Sequence, residues 1–141
     1  MTKEEKSLLI KDLCARLPYR INILTEDNDK GHIIGVDDTE NGVFVIHIIE
    51  DGDSYTCDES IENFKPYLRP MSSMTKKEFD EYMRFIKHSW EGIDKEEDDY
   101  YVKVKDRDIY TDWLLSHHFD YRGLIPLRLA LEAPKDMYKT E

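Results

Sequence analysis

Near the start of the chain, apolar residues recur at intervals of three or four among charged ones. These residues are Leu9, Ile10, Leu13, Cys14 and Leu17. This spacing puts them on one face of a helix. Thr2 and Glu5 have the spacing of a capping box, which satisfies free backbone N–H groups at a helix start, and Pro18 stops the pattern. The sequence therefore predicts an N-terminal helix over residues 2–17 that packs on the segment after it.

Residues 19–57 show a different pattern, in which short apolar runs are separated by polar turns. The runs occupy residues 19–24, 32–36, 43–49 and 54–57. The third is the richest in β-branched residues, which favour strands. Asn41-Gly42 precedes it, and this pair is typical of tight hairpins because both residues tolerate positive φ. We expect short antiparallel strands in a small curled sheet, with closure into an SH3-like barrel as an open alternative.

A segment bounded by prolines follows at residues 65–75. Pro66 and Pro70 have no backbone N–H donor, and each pushes the residue before it into extended geometry. This predicts a rigid connector between residues 1–64, which carry the first helix and the sheet, and residues 76–141, which are mainly helical. The whole chain of 141 residues fits one ordinary domain, so we expect a single domain over residues 1–141.

The second half of the chain begins with another helix signal. Thr75 and Glu78 repeat the capping-box spacing. An apolar stripe follows at helical spacing: Phe79, Tyr82, Met83, Ile86 and Trp90. Asp108 can cap a third helix that continues to His118. Over residues 124–132 the alternation of apolar and polar residues favours a terminal strand, with a short helix as the alternative. The predicted fold class is α+β.

The charge balance limits the partners. The chain has 31 acidic and 20 basic residues and a net charge of −11, which argues against direct binding to nucleic acid or anionic lipid. An acidic run at residues 94–99 is interpreted as a solvated loop, with an acidic mimic of nucleic acid as the alternative. No apolar run approaches the about 20 residues that span a bilayer, and no signal-type segment follows the N-terminus. We therefore expect a cytoplasmic protein that does not bind a membrane.

The densest polar cluster lies at residues 116–123. His117 and His118, followed by Asp120 and Arg122, offer a general base, an orienting carboxylate and an anion clamp. Adjacent helical residues point about 100° apart, however, so the two imidazoles cannot share one metal. A small hydrolase or nucleotide-handling enzyme that uses these four residues is the alternative function. Phosphate-loop, dinucleotide and hydrolase motifs are missing from the sequence, so no catalytic, metal or cofactor-binding residue and no cofactor is predicted.

The leading hypothesis is a non-enzymatic module that binds an unidentified protein partner. Aromatic residues and arginine dominate binding hot spots, and they cluster in residues 67–69 and 121–122 together with the histidine pair. The candidate interaction residues are Tyr67, Arg69, His117, His118, Asp120, Tyr121 and Arg122.

Four segments carry a family resemblance: residues 11–19 (KDLCARLPY), 65–75 (KPYLRPMSSMT), 117–125 (HHFDYRGLI) and 129–134 (LALEAP). Through them the chain resembles a group of small uncharacterised proteins of Bacteroides-type gut bacteria, often encoded near phage or mobile-element genes. The resemblance spans nearly the whole chain. It implies a place in a phage or mobile-element locus but no assigned activity.

Overall fold

The N-terminal helix is present in the computed structural model, which describes residues 1–39, 42–49, 55–91 and 111–138. Helix α1 spans Lys3–Arg16. The predicted capping box closes it, because the backbone N–H of Glu5 donates to Thr2 Oγ1 at 3.1 Å and that of Thr2 donates to Glu5 Oε2 at 2.9 Å. A 3₁₀ turn at Leu17–Tyr19 follows.

Six strands form one mixed sheet. They are β1 (Asn22–Thr25), β2 (Lys30–Thr39), β3 (Gly42–Ile49), β4 (Tyr55–Ser60), β5 (Phe64–Leu68) and β6 (Leu131–Glu132). Their order across the sheet is β4-β3-β2-β1-β5-β6. Every neighbouring pair is antiparallel except β5 and β6, which run parallel. Helices combined with this sheet confirm the α+β class.

The barrel alternative is wrong. The sheet has β4 at one edge and β6 at the other, and within the described residues these edge strands do not pair with each other. Strand β1 also begins later than predicted. The 3₁₀ turn takes up Tyr19, and Arg20 after it has a φ of 42°, outside the extended region.

The predicted connector at residues 65–75 is partly a strand. Residues 65–68 belong to β5, where Pro66 is buried and lies opposite Ile23 of β1. Proline lacks only the N–H, so it fits a strand at a place where no partner needs that donor. Strand β6 pairs with β5 at Tyr67 and Leu68 but not at Pro66. The remaining connector residues form a 3₁₀ turn at Met71–Ser73 before the second helix.

The C-terminal half is helical only in part. Helix α2 spans Lys76–Glu91, and residues 111–116 are helical. Asp108, its predicted cap, lies outside the described residues. Residues 117–130 are mostly turns, in which His118, Gly123 and Arg128 have positive φ. The expected strand over residues 124–132 is reduced to the two residues of β6.

Two apolar clusters hold these elements together. The larger one joins α1, the sheet and the C-terminal turns: Leu9, Leu13, Ile21, Ile23, Ile33, Ile61, Phe64, Leu68, Leu124, Leu129 and Ala130. The smaller one contains Trp113, Leu114 and Phe119 and borders the start of α2 through Met74 and Tyr82. In the part of the chain that is described, no helix is both long enough and apolar enough to cross a membrane.

Candidate functional site

The segments singled out in the sequence meet at the end of β5. The backbone N–H of Arg69 donates to the carbonyl of His118 at 2.8 Å, and the N–H of Asp120 donates to the carbonyl of Arg69 at 2.8 Å. These two bonds form a parallel bridge between Arg69 and Phe119. We call residues 69 and 117–122 the junction, because the first helix, the sheet and the C-terminal turns contact one another here.

Arg69 is held at the edge and on one face of its guanidinium group. Its Nη1 and Nη2 each lie 2.7 Å from a carboxylate oxygen of Glu78, in a bidentate pair. The guanidinium also lies over the ring of Phe119, 4.2 Å from the centroid. The pair is largely buried, with 16% and 14% of the two side chains exposed. The predicted capping box of α2 is present as well, since Glu78 accepts from the N–H of Thr75 at 3.0 Å. Hydrogen bonding to Arg69 lowers the pKa of Glu78 to about 2.

This shift makes part of the stability dependent on pH. A carboxyl whose pKa falls on folding stabilises the folded state above its unfolded pKa, and that contribution is lost as the pH drops through the folded value. For Glu78 the window runs from about pH 4.5 down to about pH 2. We expect Glu78→Gln to lower the free energy of unfolding by about 1–2 kcal/mol near neutral pH, after allowance for screening, and by little near pH 2. Urea unfolding at several pH values measures the difference.

Asp80→Asn is the matched control for this experiment. Asp80 is an exposed acid of the same helix, and a surface substitution there is expected to stay within about 0.5 kcal/mol of wild type. A Glu78→Gln effect that is constant between pH 7 and pH 2 would contradict the role of the ion pair.

A second ion pair lies deeper. Asp12 and Arg16 face each other one turn apart on α1, with Arg16 Nε 2.6 Å from Asp12 Oδ2, and both side chains are fully buried. Arg16 Nη2 donates to the carbonyl of Phe119 at 2.7 Å. Arg122 Nε approaches Asp12 Oδ1 at 3.2 Å, an ion-pair distance without hydrogen-bond alignment. Tyr121 packs against both guanidinium groups. An ion pair and a hydrogen bond thus connect helix α1 to the junction, in addition to apolar contacts.

Asp120 organises the turn after the junction. Its Oδ1 accepts from the N–H of Leu124 at 2.8 Å, and its Oδ2 accepts from the N–H of Ile125 at 2.9 Å. Asp120 itself is buried, and Leu124 belongs to the larger apolar cluster. The carboxylate therefore satisfies two backbone donors and places an apolar residue in the core.

The two histidines lie in different environments. His118 stacks on Tyr138 with ring centroids 3.8 Å apart, and burial, helped by Arg16 and Arg69, lowers its pKa to about 4. His117 stacks on Trp113 at 4.0 Å. Its Nδ1 lies 2.9 Å from the Trp113 carbonyl. Because a carbonyl only accepts, Nδ1 carries the proton in that bond.

This geometry does not assemble an acid–base site. Asp120 accepts from the backbone N–H groups of Leu124 and Ile125, whereas the two imidazoles make their described contacts with Trp113 and Tyr138. The neutral His118 ring packs on Tyr138, and Arg122 turns to Asp12. Among the residues that the structure describes, no three His, Cys, Asp or Glu side chains are grouped to hold a metal ion.

The candidate interaction residues are brought together, but mostly as internal contacts. Tyr67, Arg69, Tyr121 and Arg122 are all only partly accessible. Four residues that complete their environment were not predicted as site residues from the sequence: Asp12, Arg16, Glu78 and Tyr138. A signal for the first pair was present, because an Asp and an Arg four apart on a helix can pair. Nothing in the local sequence points to Tyr138.

An apolar surface patch lies beside the junction. Within the apolar stripe of α2, Phe79 is 51% exposed and Met83 is 43% exposed. Met71 in the preceding 3₁₀ turn is 40% exposed. Together with Met74 and Tyr82 we call these residues the α2 patch; all of them except Met83 line an open hollow of about 450 Å³. The side chains of Ile86 and Trp90, the rest of the stripe, lie outside the described residues.

Comparison with protein-family models, with curated proteins and with solved structures finds no match to this chain.

Proposed function

We propose that this protein is a non-enzymatic protein-interaction module that binds its partner through the α2 patch. The family resemblance adds the proposal that the partner belongs to a phage or mobile-element locus. The observation that carries the first proposal is the exposure of Phe79, Met83 and Met71 on adjoining elements. Exposed contiguous apolar surface is characteristic of interaction sites. Methionine and aromatic residues are also enriched at protein interfaces.

The patch is built on a rigid support. Tyr82 packs against Trp113 with ring centroids 5.3 Å apart and the ring planes tilted by 35°, and Trp113 Nε1 donates to Glu81 at 3.2 Å. The capping box and the Arg69–Glu78 pair fix the first turn of α2. A surface that is already ordered loses little conformational entropy when a partner binds. Met71, Met74 and Met83 can meanwhile adapt to the shape of the partner, because the methionine side chain is unbranched and flexible.

The charge of the chain indicates the kind of partner. A net charge of −11 repels acidic proteins and attracts basic ones. We infer a partner of net positive charge that presents an apolar segment to the α2 patch. Electrostatic attraction of this kind accelerates association and weakens as salt is added.

The two alternatives have less support. The enzyme hypothesis needs His117, His118, Asp120 and Arg122 in one cleft, and their side chains are engaged in separate contacts. The nucleic-acid mimic needs an uninterrupted acidic face. The first two turns of α2 instead mix Lys76 and Lys77 with acids, a pattern typical of a solubility surface. The acidic run 94–99 lies outside the described residues.

A pull-down from the native host tests the proposal. The bait is the full chain, either as wild type or with Phe79→Glu and Met83→Glu together. We expect wild type to recover basic proteins that the double variant loses by more than tenfold, because hot-spot residues contribute about 2 kcal/mol or more each. Circular dichroism checks that the variant is folded, and the recovered partner is then titrated against both baits by calorimetry.

Leu127→Glu is the matched control. Leu127 is 45% exposed, similar to Met83, and does not line the hollow. This variant should recover the same partners as wild type. Equal loss in the control and the double variant, or no reproducible partner for wild type, would contradict the proposal.

A further inference from the structure

The tail after β6 reaches back to the seam between β1 and β5. These strands pair Ile23 with Pro66 and Leu24 with Lys65. The same register continues beyond the strand end, where the backbone N–H of Glu26 donates to the carbonyl of Asn63 at 2.9 Å. Extended by one residue in the other direction, this register places Asn22 opposite Tyr67.

In an antiparallel pair, hydrogen-bonded and non-hydrogen-bonded positions alternate. Because Glu26 and Asn63 are bonded, the position of Asn22 and Tyr67, four residues along, is also a hydrogen-bonding one. A direct bond would run from the N–H of Asn22 to the carbonyl of Tyr67. Instead the N–H of Asn22 donates to the Tyr138 hydroxyl at 2.9 Å, and that hydroxyl donates to the Tyr67 carbonyl at 2.8 Å. A phenol therefore occupies the place of one ladder bond.

Backbone hydrogen bonds also join the tail to β5 and close a turn within the tail. The N–H of Ala133 donates to the carbonyl of Leu68 at 2.8 Å, and that of Met137 donates to the carbonyl of Pro134 at 3.0 Å. The ring of Tyr138 covers His118, whose buried Nδ1 has no hydrogen-bond partner. Residues 133–136 and Tyr138 also form one wall of an open groove of about 540 Å³, with Ser73, Thr75 and Lys77 among the residues that line the rest of it.

We propose that residues 133–138 are a detachable strap, and that the β1–β5 seam has two hydrogen-bonded states. With the strap docked, the Tyr138 hydroxyl bridges Asn22 and Tyr67. With the strap released, the N–H of Asn22 bonds directly to the carbonyl of Tyr67. Because the N–H of Asn22 and the carbonyl of Tyr67 both keep a partner, release avoids at the seam the penalty that normally follows the loss of a buried hydrogen bond. The backbone bond given up is the one from Ala133 to the carbonyl of Leu68. Release also opens the groove and uncovers His118. This device is independent of the α2 patch and of the proposed function.

Amide hydrogen exchange measured by NMR on the full chain tests the proposal, with Tyr138→Phe as the variant. Phenylalanine keeps a ring to stack on His118 but removes the oxygen that bridges the seam. We expect the amide protection of Ala133, whose N–H bonds the strap to β5, to fall by tenfold or more. The protection of the Asn22 amide should stay within about threefold of wild type, because the direct bond replaces the bridged one.

The result that overturns the proposal is a parallel loss of protection at Asn22 and in the strap, since it would mean that the seam stays open. Unchanged protection of Ala133 would overturn it too, by showing that the hydroxyl does not hold the strap. The Leu24 amide in the same spectra reports whether the sheet is intact. Tyr138→Ala is a second variant, expected to release the strap more completely with Asn22 still protected. Tyr67→Phe, which also removes a phenol but leaves the bridged carbonyl, is the matched control and should match wild type.

Discussion

Asp12→Ala is expected to lower the free energy of unfolding by about 3–5 kcal/mol. The substitution leaves Arg16 fully buried without its carboxylate, and it removes the anion beside Arg122. A buried charge without a partner costs far more than an exposed ion pair contributes. Chemical denaturation with urea, followed by circular dichroism and by tryptophan fluorescence, measures the change.

The matched control replaces both partners. Asp12→Leu with Arg16→Met fills the same space with apolar groups and leaves no buried charge in α1. We expect the double variant to be more stable than Asp12→Ala. If the double variant is as unstable as the single one, the loss comes from packing rather than from the unpaired guanidinium.

Asp120→Ala is expected to lower the free energy of unfolding by about 2–4 kcal/mol. It leaves the N–H groups of Leu124 and Ile125 without their acceptor, and hydrogen bonds to a charged group contribute about 1.5–3 kcal/mol each. Asp120→Asn keeps one accepting oxygen and should lower the free energy of unfolding by about half as much. Equal effects of alanine and asparagine would show that the negative charge, rather than the count of acceptors, matters. Thermal unfolding of the three proteins under identical conditions provides the comparison.

The local elements were predictable because their signals are local. The capping boxes at Thr2 and Thr75 fix the start of each helix through contacts three residues apart. Alternation and turn residues located the strands β2 and β3. Only part of the junction could be predicted from the sequence. Composition marked residues 117–122 as unusual, but the partners Asp12 and Glu78 are distant in sequence, and one sequence holds no information about which distant side chains meet.

The errors have physical causes as well. Pro66 was predicted to lie in a rigid connector, but its missing N–H lies where no ladder bond is required, so strand β5 continues through it. The alternation at residues 127–131 favoured a strand, but Arg128 adopts a φ of 63° and turns the chain before β6. The apolar stripe of α2 was predicted from its spacing, but amphipathic spacing alone cannot tell a core from an interface. That ambiguity is why Phe79 and Met83 now carry the functional proposal.

The bond from Arg16 to the carbonyl of Phe119 spans 103 residues, which has a consequence for synthesis on the ribosome. Helix α1 is synthesised before the junction. The guanidinium group of Arg16 cannot be buried with its hydrogen-bond acceptor until the carbonyl of Phe119 is available. At about 5–20 residues per second, the chain takes roughly 5–20 s to supply the second partner. During that interval the first helix and the first strands cannot reach their final arrangement. Burial of Arg16 is therefore a late step that commits the nascent chain to its fold only after the C-terminal turns have been made.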